Sequence, residues 1–195
     1  MKLLTKQVTA LQVVFVLLML FLGIEDVVLV LQNRNLKEKI NQLTNRKIEL
    51  LTPGDRVEDV RAVSLNGDEV RLSYSDSAKK YLLLVFSTTC PHCEKNIPIW
   101  SEITRDNQDK CNYVGISTSS LEDTRKFVSM KSISFPTVSV ANDTSLGRKY
   151  KIVGLPLTIL LTRLGVVEKV WMGELTIGQK KEIAQLIGQS ELLVN

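Results

Sequence analysis

Short strands alternate with longer helices after residue 53 and end in a hairpin and a final helix, which predicts an α/β domain with a mixed central sheet flanked by helices. Two further features extend that prediction: an apolar run near the N-terminus long enough to cross a bilayer, and a polar segment behind it with a partial helical stripe. The expected organisation is a membrane anchor over residues 1–32, a helical stalk or linker over 33–52, and the α/β domain over 53–195. With 195 residues and 44% hydrophobic content, the chain is long enough for one core plus an appendage. Its formal charge of +4 is the balance of 25 basic and 21 acidic residues with no long basic run, so nothing points to nucleic-acid binding.

The anchor is read from Val8 to Leu31, an apolar stretch interrupted by Gln12 and by Glu25-Asp26 near one end. Roughly 20 residues span a bilayer as a helix, so the length suffices. A cleaved signal peptide is the rival, because Lys2 and Lys6 precede the run, but no small-x-small cleavage site and no lipobox cysteine follow it. Carboxylates inside a membrane are costly, and at a helix end Glu25 and Asp26 can reach the headgroups. Lys2 and Lys6 compete with Arg34, Lys37 and Lys39 beyond the span, so basic residues alone do not set the orientation. A very short N-terminal tail stays inside by default, which puts the N-terminus in the cytoplasm and the domain on the extracytoplasmic side of a single-pass protein.

From Asn33 to Leu51 apolar residues recur at Leu36, Ile40, Leu43, Ile48 and Leu50, a stripe too short for a coiled coil and suited to a helical spacer. Pro53-Gly54 breaks it. Asn66-Gly67 then predicts a hairpin between strands at Val60–Leu65 and Val70–Ser73. Tyr81 to Phe86 is a continuous apolar run of buried-strand type that leads directly to Cys90, with a helix expected from Pro91 to about Asn107. A strand near Tyr113–Ser117, a helix near Leu121–Lys131, strands near Thr158–Thr162 and Val166–Trp171 joined at Leu164-Gly165, and a helix from about Thr176 complete the pattern.

Three cysteines are too few for a disulfide-stapled scaffold, and two of them form Cys90-Pro91-His92-Cys93. The single histidine, His92, removes the usual zinc patterns and any triad that needs a separate histidine. A cysteine at a helix N-terminus meets unpaired backbone N–H groups and the positive end of the helix dipole, and both favour thiolate over thiol. Cys90 is therefore the expected attacking group, and Cys93, one turn inside the helix, is placed to resolve a mixed disulfide. Pro91 costs no hydrogen bond in the first turn. His92 lies between the sulfurs, where its imidazole or its own N–H can stabilise the Cys90 thiolate, which favours the reduced pair and makes the disulfide a stronger oxidant. Cysteines at this spacing also serve in half of a metal site or as inert small residues, but a buried strand before them and a helix after them favour redox use.

The run from Leu82 through Cys90-Pro91-His92-Cys93 to Pro98 resembles the active-site strand and helix of thioredoxin-like proteins, most nearly the membrane-anchored TlpA/ResA group of extracytoplasmic thiol-disulfide oxidoreductases. A second resemblance, to that group's Gly-x-Pro-x-Thr segment, lies in Gly154-Leu155-Pro156-Leu157-Thr158. The likeness spans about three quarters of the chain, from Pro53 onward. It implies a thioredoxin-like fold, a cis peptide bond at Pro156 packed against the cysteines, and a Leu155 backbone that hydrogen-bonds an incoming substrate strand. Taken alone, Pro156 reads as an ordinary trans proline ending a loop.

Three positions depart from the pattern. Thr89 stands where thioredoxins often have tryptophan, Leu84 where many relatives have a buried acid, and Asn96 where the anchored group often has glutamate. Deprotonation of Cys93 must then use His92, Glu94, water or a group of the substrate. A peroxiredoxin pattern fails, because Leu83 replaces the proline expected seven residues before Cys90. Cys111 opens a buried strand and reads as a small core residue, and Trp100 and Trp171 read as packing.

The leading functional reading is disulfide exchange with protein thiols or disulfides outside the cytoplasm. It needs no cofactor beyond a redox-active Cys90–Cys93 disulfide, and because no flavin or nicotinamide fingerprint is present, it needs a partner protein to supply or accept electrons. The resemblance implies reduction of apocytochrome or metallochaperone cysteines, whereas His92 leans toward oxidation. The alternatives are a copper- or zinc-handling module using Cys90, Cys93 and His92, and a catalytically idle adaptor of the same fold.

Overall fold

The computed structural model describes residues 19, 21, 23–38, 50–74, 78–143 and 145–189. It divides into two units, Met1–Lys47 and Ile48–Asn195. In the first, helix α1 covers residues 23–38 and is exposed along that length. Among the described residues no helix is long and apolar enough to cross a membrane. The span expected from Val8 to Leu31 lies partly outside them, at residues 8–18, 20 and 22, as does the stalk at residues 39–49.

The second unit is built on a seven-stranded sheet. Its strands are β1 (Val60–Ser64), β2 (Glu69–Leu72), β3 (Lys80–Phe86), β4 (Cys111–Ser117), β5 (Thr137–Ser139), β6 (Leu157–Leu161) and β7 (Val167–Met172). They lie side by side in the order β2-β1-β5-β4-β3-β6-β7. β3, β4 and β5 are parallel, and antiparallel pairs flank them on both sides, so the sheet is mixed. Helices α2 (Pro91–Asp106), α3 (Leu121–Met130), α4 (Leu146–Lys149) and α5 (Ile177–Gly188) connect or follow the strands.

β3 is apolar without alternation because both of its faces are covered. Leu82, Leu84 and Phe86 pack into one core with Ile97, Trp100 and Ile103 of α2, Phe127 of α3, and Ile183 and Ile187 of α5. Leu83 and Val85 point the other way, into a second core with Leu51, Val60, Tyr74, Ile116, Tyr150 and Ile159. Trp100 is fully buried, and its indole N–H donates to Thr158 Oγ1 at 3.0 Å, so α2, which begins at Pro91, is fastened to β6, which begins just after Pro156. Both tryptophans pack: Trp171 is buried in the first core and donates to Glu182.

In the second unit, sequence reading placed each strand and helix that it named to within about two residues and missed β5 and α4. At three and four residues these are too short to show a period. β5 also depends on a long-range fit. A Cβ on Gly115 of β4 would come within 2.6 Å of Thr137 Oγ1 and 2.8 Å of the Phe135 ring, so only glycine lets the chain before β5 approach this closely.

α5 starts as the hydrogen-bonding inventory requires. Thr176 Oγ1 accepts from the Gln179 N–H and the Gln179 side chain accepts from the Thr176 N–H, a capping box that satisfies two otherwise unpaired donors. Replacing Thr176 by alanine should lower stability by about 1 kcal/mol, read as a lower urea midpoint with an unchanged slope.

Candidate active site

β3 ends at Phe86, and residues 87–89 carry the chain to Cys90, the N-cap of α2 in extended conformation. Cys90 Sγ accepts the backbone N–H of Cys93 at 3.2 Å, the bond that an N-cap oxygen would make. The carbonyl of Cys90 accepts from Cys93 and Glu94 at 3.1 and 3.2 Å, which starts the helix. Pro91 is the first helical residue, where a missing N–H is harmless. The turn before Cys90 is fixed by hydroxyls: Ser119 Oγ lies 3.2 Å from Ser87 Oγ and accepts from both the N–H and the hydroxyl of Thr88 at 3.0 Å.

All three cysteines are free thiols. Cys90 is half-buried and Cys93 is fully buried one turn further in. Burial pushes the Cys93 thiol up to about 12, and the neighbouring Cys90 sulfur adds to the rise. The acids that could take its proton in relatives are absent: Leu84 is buried in the apolar core, and Asn96 is engaged in backbone bonds. Glu94 is paired with Lys131.

The Leu155–Pro156 peptide is cis, as the resemblance implies. The carbonyl of Leu155 lies 3.8 Å from Cys90 Sγ, within reach of its S–H, while Pro156 is buried. Cys90, Cys93, Leu155 and Pro156, drawn from two segments 65 residues apart at the Cys90–Leu155 contact, therefore meet at one end of the sheet.

His92 is placed differently from the sequence expectation. Its side chain is exposed, and its Nδ1 lies 2.5 Å from Glu174 Oε1 in the connection between β7 and α5. The donor on Cys90 Sγ is the N–H of Cys93, not of His92. The same carboxylate oxygen accepts from Lys95 Nζ at 2.8 Å, and these two hydrogen bonds hold the Glu174 carboxyl below its usual range. Asn96, fully buried, brackets that connection: its amide donates to Gly173 O at 3.1 Å and its oxygen accepts from the Leu175 N–H at 2.8 Å. Gly173 has φ of +86°, a conformation that a side chain would strain, and its N–H donates to Pro156 O at 2.8 Å. Sequence reading missed Glu174 and Lys95 and took Asn96 only as a lost acid. No local pattern reveals them, since the His92–Glu174 pair spans 82 positions.

Cys111 opens β4 in the core, where its S–H donates to Lys80 O at 3.2 Å and burial pushes the thiol up to about 12. Among the described residues no group of three or more His, Cys, Asp or Glu side chains is arranged to hold a metal ion. The three thiols should differ sharply toward alkylation. Iodoacetamide is expected to modify Cys90 of the folded reduced protein, while Cys93 and Cys111 stay thiols and remain shielded up to about pH 10. Peptide mass mapping after a short pulse checks it.

Residues 53–170 match the AhpC/TSA family. The chain is 24% identical to the thioredoxin-like protein YneN of Bacillus subtilis over 148 residues, which cover 74% of this chain and 84% of that protein. It is also 24% identical to sporulation thiol-disulfide oxidoreductase A of the same organism over 124 residues, covering 61% and 73%. Among solved structures, the thioredoxin domain of a thiol-disulfide oxidoreductase from Bacteroides vulgatus matches with a TM-score of 0.61 at 22% identity, over 70% of this chain and 99% of that one. That likeness shows the thioredoxin-like fold. The chain thus belongs to the AhpC/TSA family, and its relatives are thiol-disulfide oxidoreductases of thioredoxin-like fold.

Proposed function

We propose that the protein is a membrane-anchored thiol-disulfide oxidoreductase that exchanges disulfides with extracytoplasmic proteins through Cys90 and Cys93. The observation that carries the reading is Cys90 as an N-cap: its half-buried sulfur receives a backbone N–H and sits against the Leu155 carbonyl. In the reductive direction the Cys90 thiolate attacks one sulfur of a substrate disulfide, and the other leaves and takes a proton. Cys93 then gives up its proton and attacks Cys90 Sγ, the second substrate thiol leaves, and the protein holds a Cys90–Cys93 disulfide. Two electrons have passed to the substrate. The oxidative direction reverses each step, and a partner protein restores the starting state.

Two features of the site shape this cycle. Cys93 is a buried thiol on which no carboxylate among the described residues acts, so its deprotonation limits release and the mixed disulfide on Cys90 persists. The Leu155-Pro156 backbone lies beside the attacking sulfur, where an extended substrate segment can pair with it. A copper or zinc module is disfavoured because, among the described residues, no group of three His, Cys, Asp or Glu side chains is arranged to hold a metal ion.

The test is turnover. Insulin-disulfide reduction, or oxidation of a reduced protein, should require Cys90, and Cys93→Ser should accumulate substrates linked to Cys90. Stoichiometric binding of copper or zinc by the reduced chain, with neither turnover nor adducts, would establish the metal module instead. The potential then gives direction: a value near about −270 mV marks a reductant and one near about −120 mV an oxidant. The anchor, residues 8–31 with the N-terminus in the cytoplasm, is supported by its apolar length. Protease added outside intact cells should remove the domain, and survival of the domain until lysis would reverse the orientation.

A further inference from the structure

Glu174 occupies a position that the cycle above does not use. The backbone on both sides of it is pinned: Gly173 donates to Pro156 O and accepts from the buried Asn96, and the N–H of Leu175 donates to Asn96 Oδ1. Its carboxylate is thereby presented to the first turns of α2, where one oxygen takes both His92 Nδ1 and Lys95 Nζ. We infer that Glu174 is a positioning residue that restrains the oxidising power of the Cys90–Cys93 pair, by drawing the His92 ring to itself and by cancelling the charge of Lys95. The inference rests on the thiol-disulfide reading of the pair and deepens it.

The effect is electrostatic. Positive charge near the start of a helix favours a thiolate over a thiol at that end, and every such contribution favours the dithiol and raises the potential. The charged groups there are His92, Glu94 and Lys95 on α2, Lys131 at the end of α3 and Glu174 in the β7–α5 connection. Glu94 and Lys131 pair with each other, which leaves His92 and Lys95 as the basic groups that Glu174 opposes. The Glu174 carboxylate sets a negative charge directly beside both groups, so it opposes the positive charge that they present to the start of α2. It also takes the Nδ1 hydrogen that would otherwise be free to turn toward the sulfurs. Because His92 and Glu174 are both partly exposed, water screens the effect and keeps it modest.

The test uses the full-length chain equilibrated with glutathione, in which the protein disulfide and two glutathione thiols interconvert with the protein dithiol and glutathione disulfide. Glu174→Gln should shift the equilibrium toward the dithiol by about three- to tenfold, or about 15–30 mV to higher potential. The same substitution in a His92→Ala, Lys95→Ala background should shift it by much less, which separates action through these two groups from a general loss of structure. An unchanged or lowered potential in Glu174→Gln, while the wild type equilibrates normally, overturns the inference alone. A wild-type chain whose Cys90–Cys93 pair never exchanges with glutathione overturns the thiol-disulfide reading as well.

Discussion

Cys90→Ser should lose at least about a thousandfold of disulfide-exchange activity, since a serine hydroxyl neither ionises near neutral pH nor forms a bond to sulfur that exchange can break. The loss belongs to one atom. Sγ of Cys90 is the half-exposed sulfur, receives the Cys93 N–H and lies against the Leu155 carbonyl, whereas the other two sulfurs are buried. Cys93→Ser separates the two halves of the cycle: attack survives and release does not, so adducts build up on Cys90. Cys111→Ser should leave the rate within about twofold, because its thiol is enclosed in the core and hydrogen-bonded to Lys80 O. Initial rates of insulin reduction for the three variants, with adducts followed by intact mass, check the whole set.

The second large effect is expected from Asn96→Leu. The new side chain is close in volume and apolar, yet it removes the partners of the Gly173 carbonyl and the Leu175 N–H, one buried and one partly so. An unsatisfied group of this kind costs about 1–3 kcal/mol, so the domain should lose about 2–4 kcal/mol, seen as a lower urea midpoint. The β7–α5 connection should loosen with it and release Glu174 from His92 and Lys95. Asn96 therefore holds the backbone on both sides of Glu174 in place.

Much of this architecture was legible in the sequence because the signals were local. Tyr81–Phe86 reads as a buried strand, the proline after Cys90 opens a helix, and Asn66-Gly67 and Leu164-Gly165 mark turns at the strand joints observed. The cysteine pair and the Gly154-Leu155-Pro156 segment were legible for the same reason, and the structure places them side by side. What stayed hidden depends on distant parts of the chain meeting. β5 exists because Gly115 admits Phe135 and Thr137, and Glu174 matters only because the end of β7 returns to the first turns of α2. His92 shows the limit most directly: its neighbours in sequence are the two cysteines, but its hydrogen-bond partner is a carboxylate 82 residues away.

The most direct test of the central claim is to count thiols on the full-length chain and on Cys111→Ser across a series of glutathione redox buffers. One two-electron transition is expected in each protein, with the loss of two thiols within a single chain and a disulfide that maps to Cys90 and Cys93. A transition that vanishes with Cys111, a disulfide between two chains, or no loss of thiols at any glutathione ratio would contradict it.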